Sequence, residues 1–120
     1  MLKVIIAGSR HFNDYELLER LVDMYLQHYS IDQIEIVSGG ARGADRLGER
    51  FAHSRGITLK VMPADWDTYG KSAGYRRNEQ MAQYATHCIV FWDEKSRGTE
   101  HMINLANQYN LALRIVRYRS

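Results

Sequence analysis

Apolar positions along this chain alternate between two periods, and the alternation predicts its elements. Leu2 to Ala7 is a short apolar run rich in β-branched residues, closed by Gly8-Ser9-Arg10, as in a buried strand. From Asn13 to Tyr29 the period becomes helical, with Leu17, Leu18, Leu21, Val22, Tyr25, Leu26 and Tyr29 on one stripe and Asn13/Glu16 spaced as a capping box. Ile34 to Ser38 predicts a second strand. A glycine-rich turn, Gly39 to Gly43, follows, then a helix with Ala44, Leu47, Phe51 and Ala52 inward and Gly56 as its stop. Ile57 to Met62 predicts a third strand, ended by Pro63. Ala64 to Ala73 shows no period and is expected to be a loop. Gly74 to Ala85 predicts a helix, Cys88 to Trp92 a fourth strand, and Asp93 to Gly98 a loop. Thr99 to Tyr109 predicts a helix that ends at a left-handed Asn110, and Leu111 to Tyr118 a last strand.

Five strands alternating with helices, the strands largely apolar on both faces, predict an α/β fold. The expectation is a single Rossmann-like, doubly wound domain over residues 1–120, with about five mostly parallel strands and helices on both faces. In such sheets ligands bind at the carboxyl ends of the strands, near the point where strand order reverses.

Composition adds limits more than identity. The chain has 120 residues, 45% hydrophobic and 25% charged, an ordinary globular balance that excludes collagen-like, coiled-coil and disordered sequence. The one cysteine, Cys88, excludes an intramolecular disulfide and any multi-thiolate metal site, and mid-strand it is expected to be a small buried residue. No apolar run approaches the ~20 residues that span a bilayer, and Met1-Leu2-Lys3-Val4 does not resemble a signal peptide, so a cytoplasmic setting without membrane partners is expected. Net charge is +2, far from the excess of a dedicated DNA wrapper, although most basic residues are arginines, suited to phosphate or carboxylate. The five histidines have no common-face ligand spacing, so neither a metal nor another cofactor is expected.

Candidate chemistry follows the strands. After the first come Gly8, Ser9 and Arg10. After the second come Ser38, Gly39, Gly40, Gly43 and Asp45, where bare backbone and a helix start favour an anion. A tight turn needing positive φ explains the same glycines equally well. After the fourth comes a polar loop ending in Gly98-Thr99, with Thr99 as the expected helix cap. The glycine-rich turn has neither the phosphate-loop pattern nor the dinucleotide fingerprint, which disfavours a nucleoside triphosphatase and a standard dehydrogenase. Arg77 borders the inner face of its helix and Asn78 points inward, where a structural hydrogen bond would equally account for it. Trp66 and Tyr69 have two readings, stacking on a base or surface packing.

Taken in order, Ala7-Gly8-Ser9-Arg10, Val37-Ser38-Gly39-Gly40-Ala41-Arg42-Gly43-Ala44-Asp45, Arg77-Asn78-Glu79-Gln80-Met81 and Ser96-Arg97-Gly98-Thr99 resemble the SLOG superfamily, most closely its small YspA-type stand-alone branch. That resemblance implies a Rossmann-like fold that binds nucleotides or nucleotide-derived ligands, as a sensor or carrier or as an N-glycosidic hydrolase of nucleoside monophosphates like the lonely-guy relatives. In the hydrolase pattern the arginine and methionine fall on Arg77 and Met81, and the glycine-threonine pair on Gly98-Thr99. Lys95-Ser96 replace two glycines. His101 stands where the first glutamate belongs, leaving Glu100 displaced by about 100° around the helix. If the protein is hydrolytic, the resemblance implies Arg77 and Glu100 as catalytic, with Asp45 an alternative carboxylate. The competing reading is a nucleic-acid-binding module like the DprA relatives, using Arg10, Arg42, Arg97, Arg114, Arg117 and Arg119. A homo-oligomer is compatible with either.

Overall fold

The computed structural model describes residues 1–119. Strands β1 (Leu2–Gly8), β2 (Ile34–Ser38), β3 (Thr58–Val61), β4 (His87–Trp92) and β5 (Ala112–Arg117) form one wholly parallel sheet in the order β3-β2-β1-β4-β5. Ile5 aligns with Val37 on one side and with Cys88 on the other. The chain therefore builds outward from β1 through β2 to β3, then crosses back to place β4 against the free side of β1. The reversal lies between β1 and β4.

Alternation along the strands divides the interior into two cores. Val4 and Ile6 of β1, Ile34 and Ile36 of β2, and Ile89 and Phe91 of β4 face helices α1 (Tyr15–Leu26) and α2 (Ala44–Arg55), which contribute Leu18, Val22, Phe51 and Ala52. The intervening residues Ile5, Ala7, Val37, Cys88 and Val90 face α4 (Ala73–Tyr84) and α5 (Arg97–Gln108), which contribute Met81, Ala82, Met102 and Ala106. Burial on both faces explains the unbroken apolar stretches Val4–Ala7 of β1 and Cys88–Trp92 of β4.

The outer strands depart from that expectation. Thr58, Lys60 and Val61 of β3 and Ala112, Arg114 and Arg117 of β5 are exposed, because an edge strand loses cover on one side. Helix α1 is capped by Asp14 rather than Asn13: its carboxylate accepts from the Leu17 amide at 3.1 Å. Residues 64–73 are not wholly irregular. They contain α3 (Trp66–Tyr69), capped by Asp65, and a following 3₁₀ turn, Gly70–Ser72. The last helix begins at Arg97 with Ser96 as cap, so Arg97 and Gly98 are helical and Thr99 sits inside the first turn. Gly56 and Asn110 take the expected left-handed conformation.

An aromatic plug fixes the segment after β1. Phe12 stacks on Phe91 with ring centroids 4.8 Å apart and meets Tyr118 edge-on at the same separation. Phe12 thereby holds Ser9, Arg10 and His11 over the end of the sheet. Phe51 and Phe91 are the largest fully buried side chains of the first core. Phe51→Ala is expected to lower unfolding free energy by about 3–5 kcal/mol, through lost burial and a residual cavity, as read by urea denaturation.

Candidate functional site

A cleft of about 510 Å³ opens at the carboxyl ends of the central strands, where strand order reverses. Its lining brings together Gly8, Ser9 and Arg10 after β1, Asp45 at the start of α2, Arg77 and Asn78 on α4, and Gly98 and Thr99 on α5. Ser38, Gly39, Gly40 and Gly43, expected at the crevice, are absent from the lining, and Glu100 is exposed on α5 outside it.

The walls meet at Ser9, which is buried. Its amide donates to Phe91 O at 3.0 Å, and its carbonyl accepts from Phe12 N at 3.2 Å and Ala44 N at 3.3 Å. Its hydroxyl accepts from Asp93 N at 3.3 Å. Ser9 thus ties β1 to the end of β4 and the start of α2. Gly43 permits the approach: at φ 78°, an added Cβ would lie 2.3 Å from Ser9 O.

The glycine-rich turn satisfies itself. Ser38 Oγ accepts from Gly40 N at 3.1 Å and lies 2.6 Å from Glu49 Oε2, to which it donates. Asp45 Oδ2 accepts from Ala41 N at 3.2 Å. The protein's own carboxylate therefore occupies the place where a ligand anion was anticipated. Burial pushes the Asp45 carboxyl up from 3.8 to about 6, with Glu49 adding to the rise and the Ala41 amide, Arg77 and Arg10 opposing it.

Arg77 crosses the back of the cleft. Its Nη1 donates to Gly39 O, and its Nε donates to Asn78 Oδ1 at 3.0 Å. Gly39 is pressed between the Arg77 guanidinium and the Asp45 carboxylate, leaving no room for a side chain. Burial lowers the guanidinium pKa from its ordinary value, Asp45 counteracts this, and the group stays charged at neutral pH. Since Asn78 Oδ1 is taken, its amide nitrogen donates to Gly98 O at 3.3 Å and His101 Nδ1 at 3.2 Å. His101 is therefore the acceptor and neutral there, in keeping with a pKa lowered by burial against the opposing influence of Glu79. Arg77 and Asn78 form a structural joint between β2, α4 and α5, so Arg77 is not a detachable surface charge.

At the mouth of α5, Asp93 Oδ1 accepts from Lys95 N at 2.9 Å and Ser96 N at 2.8 Å. Burial would raise its pKa, but these amides and Ser9 hold the carboxyl below its ordinary range. Ser96 Oγ lies 3.0 Å from Thr99 Oγ1. The first-turn amides of α5 lack acceptors within the helix and add positive potential. Lys71, Gly74 and Tyr75 also line the cleft, together with His11 and Lys95. Lys95 belongs to the polar loop expected after the fourth strand, whereas Lys71, Gly74, Tyr75 and His11 escaped the sequence reading. For the first three, the concentration of aromatic and basic residues from Trp66 to Tyr75 was the available signal. Among the described residues no group of three or more His, Cys, Asp or Glu side chains is placed to hold a metal, and no helix is long and apolar enough to cross a membrane.

A five-stranded parallel sheet with its strand order reversing beside β1, covered by helices on both faces, defines a Rossmann-like α/β domain. Within that class the chain belongs to the YspA, cpYpsA-related SLOG family, whose profile matches residues 2–69. The Gene 61 protein of Mycobacterium phage D29 is 35% identical to it, over 90% of each chain. DNA processing protein A (DprA) from Streptococcus pneumoniae superposes with a TM-score of 0.76 at 18% identity, covering 96% of this chain and 50% of that one. DprA from Helicobacter pylori, whose structure concerns a single-stranded DNA binding mode, gives 0.73 at 21% identity, covering 98% and 66%. The chain thus spans only part of either DprA, and at these identities the likeness is one of fold.

Two outcomes test this geometry. Asp45 has a raised folded pKa, so between about pH 4 and 6 the folded state keeps a proton that the unfolded chain releases. Stability from this group falls as pH rises through that window, by an amount on the order of 3 kcal/mol. Asp45→Asn, whose amide oxygen can still accept from Ala41, is expected to gain on the native protein in urea unfolding from pH 4 to pH 7; parallel curves would refute the assignment. Gly43→Ala is expected to cost several kcal/mol, on the order of 2–4, by forcing the α2 start away from Ser9. Differential scanning calorimetry reads it as a lowered Tm.

Proposed function

We propose that the cleft binds a nucleotide or nucleotide-derived small molecule through its phosphate, the protein acting as a sensor or carrier. The observation that carries this reading is the convergence of Arg10, Arg77 and the first turn of α5 in one cleft at the strand-order reversal. Its volume suits a ligand of nucleotide size. Arg10 is exposed and belongs to neither the Ser9 hub nor the Arg77 joint, so its guanidinium is available for a bidentate grip on phosphate. Membership of the SLOG family supports the same reading.

Binding fits these residues better than hydrolysis. A phosphoribohydrolase needs a carboxylate beside the ribose to stabilise the cationic character that develops as the base departs. Glu100 stands outside the lining, while Asp45 and Asp93 are engaged by backbone amides. A nucleic-acid reading draws support from the basic rim of Arg10, Lys71 and Lys95, and from the likeness in fold to a DprA studied with single-stranded DNA. The two readings differ in salt dependence, since each phosphate neutralised along a strand steepens the loss of affinity.

The test is calorimetric titration and thermal melting with nucleoside mono- and diphosphates and with a single-stranded oligonucleotide, at 50 and 200 mM salt. Mononucleotides are expected to raise Tm with shallow salt dependence. Arg10→Ala is expected to weaken that binding about tenfold or more, while the unliganded protein stays within about 0.5 kcal/mol of native stability. Binding only of the oligonucleotide, lost steeply with salt, would establish the nucleic-acid reading instead.

A further inference from the structure

Three aromatic side chains, Trp66, Tyr69 and Tyr75, stand half-exposed on the segment that borders the cleft, and of these Trp66 and Tyr75 line it. Two of them already have partners. Tyr69 carries the Arg76 guanidinium over its ring, 4.4 Å from the centroid, and Tyr75 meets His101 edge-on at 4.6 Å. Trp66 is different. It lines the cleft with 51% of its surface exposed, and among the described residues its ring has no aromatic or cationic partner. A large amphipathic ring left open inside a cleft that also carries cationic groups is a stacking platform.

The geometry around Gly74 gives that platform its setting. A Cβ built on Gly74 would lie 3.5 Å from the Trp66 ring edge and 3.9 Å from Arg77 Nη2. Indole and guanidinium thus flank one bare glycine in the first turn of α4. The aromatic wall and the cationic floor belong to one slot, and no side chain stands between them. Asp65 fixes the wall locally by capping α3, accepting from Thr68 N at 3.1 Å.

We propose that Trp66 is the specificity-determining residue of the cleft, stacking on the nucleobase of a ligand whose phosphate is held by the cleft's cationic groups. This rests on the reading of the cleft as a nucleotide site and adds that the ligand carries a planar aromatic ring. Trp66 touches the base and takes no part in holding phosphate. A ligand with the same sugar phosphate and no base forfeits the stack.

The experiment measures calorimetric affinity of adenosine 5′-monophosphate and of ribose 5-phosphate for the native protein, Trp66→Ala and Trp66→Phe. The monophosphate is expected to bind Trp66→Ala about tenfold more weakly or worse, the scale of one base-on-aromatic stack. Ribose 5-phosphate is expected to bind all three proteins within about twofold, since it never reaches the indole. Trp66→Phe, which keeps a ring, is expected to recover most of the loss. Unchanged monophosphate affinity in Trp66→Ala would overturn the proposal while leaving the nucleotide site intact. An equal loss for both probes would overturn it too, by showing that Trp66 shapes the cleft as a whole. Failure of both probes to bind the native protein at millimolar concentration would reject the nucleotide site and the proposal together.

Discussion

Everything at the functional end of this protein depends on one close approach of backbone to backbone. The chain leaving β1 must turn over the end of β4 and against the start of α2, and all three meet at Ser9. That residue satisfies four polar neighbours with its own amide, carbonyl and hydroxyl. Such a junction tolerates no side chain at the facing position, so Gly43 is required there by contact as well as by its φ of 78°. With Ser9 pinned from three directions and Phe12 locked between Phe91 and Tyr118, Arg10 is presented from a rigid shoulder rather than a loose loop.

A second constraint is electrostatic. Asp45 is an acid buried beside an arginine with no direct salt bridge between them: Arg77 instead donates to Gly39 O, and Asp45 accepts from Ala41. Each group satisfies backbone that the turn after β2 would otherwise leave unpaired. That turn is stiffened from within, and the two charges perturb each other across Gly39. The same arginine, through Asn78, orders the start of α5 and fixes the neutral state of His101. Position 101, where the resemblance to hydrolases places a glutamate, is therefore wired into a hydrogen-bond joint and supplies no carboxylate to the cleft.

The elements were legible because periodicity reports burial. Val4 to Ala7 and Cys88 to Trp92 lie in central strands covered on both faces, and their apolar runs are unbroken. The edge strands were legible as strands but not as edges, since Ile57 and Leu59 look no different until strand order is known. The approach of Arg10 to Thr99 was legible in the expected topology, which places strand ends together, whereas Arg77 was legible only from its position bordering the inner face of its helix. What could not be read was occupancy. Gly39, Gly40 and Gly43 look like an anion cradle from spacing alone, and only coordinates show that Asp45 and Ser38 already fill it. The caps were shifted for a related reason: Asp14 and Ser96 compete with neighbours of similar chemistry, and a difference of one to three residues is settled by tertiary packing.

The least periodic stretch of the sequence has a place that topology explains. Among the described residues one connection crosses from one half of the sheet to the other, that from edge strand β3 to β4. To reach the far side of β1 it has to pass the sheet end where strand order reverses, and residues 63–72 lie on that path, beyond Met62, which still packs on the second core. A segment confined there packs little against the core, which removes the pressure for hydrophobic periodicity and leaves its side chains to the cleft. Trp66, Lys71, Gly74 and Tyr75 all belong to this crossing and to the first turn of α4 that completes it. The cleft's floor is built by strand ends that every open sheet of this kind must have. Its outer wall is built by that crossover, where residues can change without disturbing either core, so variation in ligand preference within this architecture is expected to concentrate in that wall.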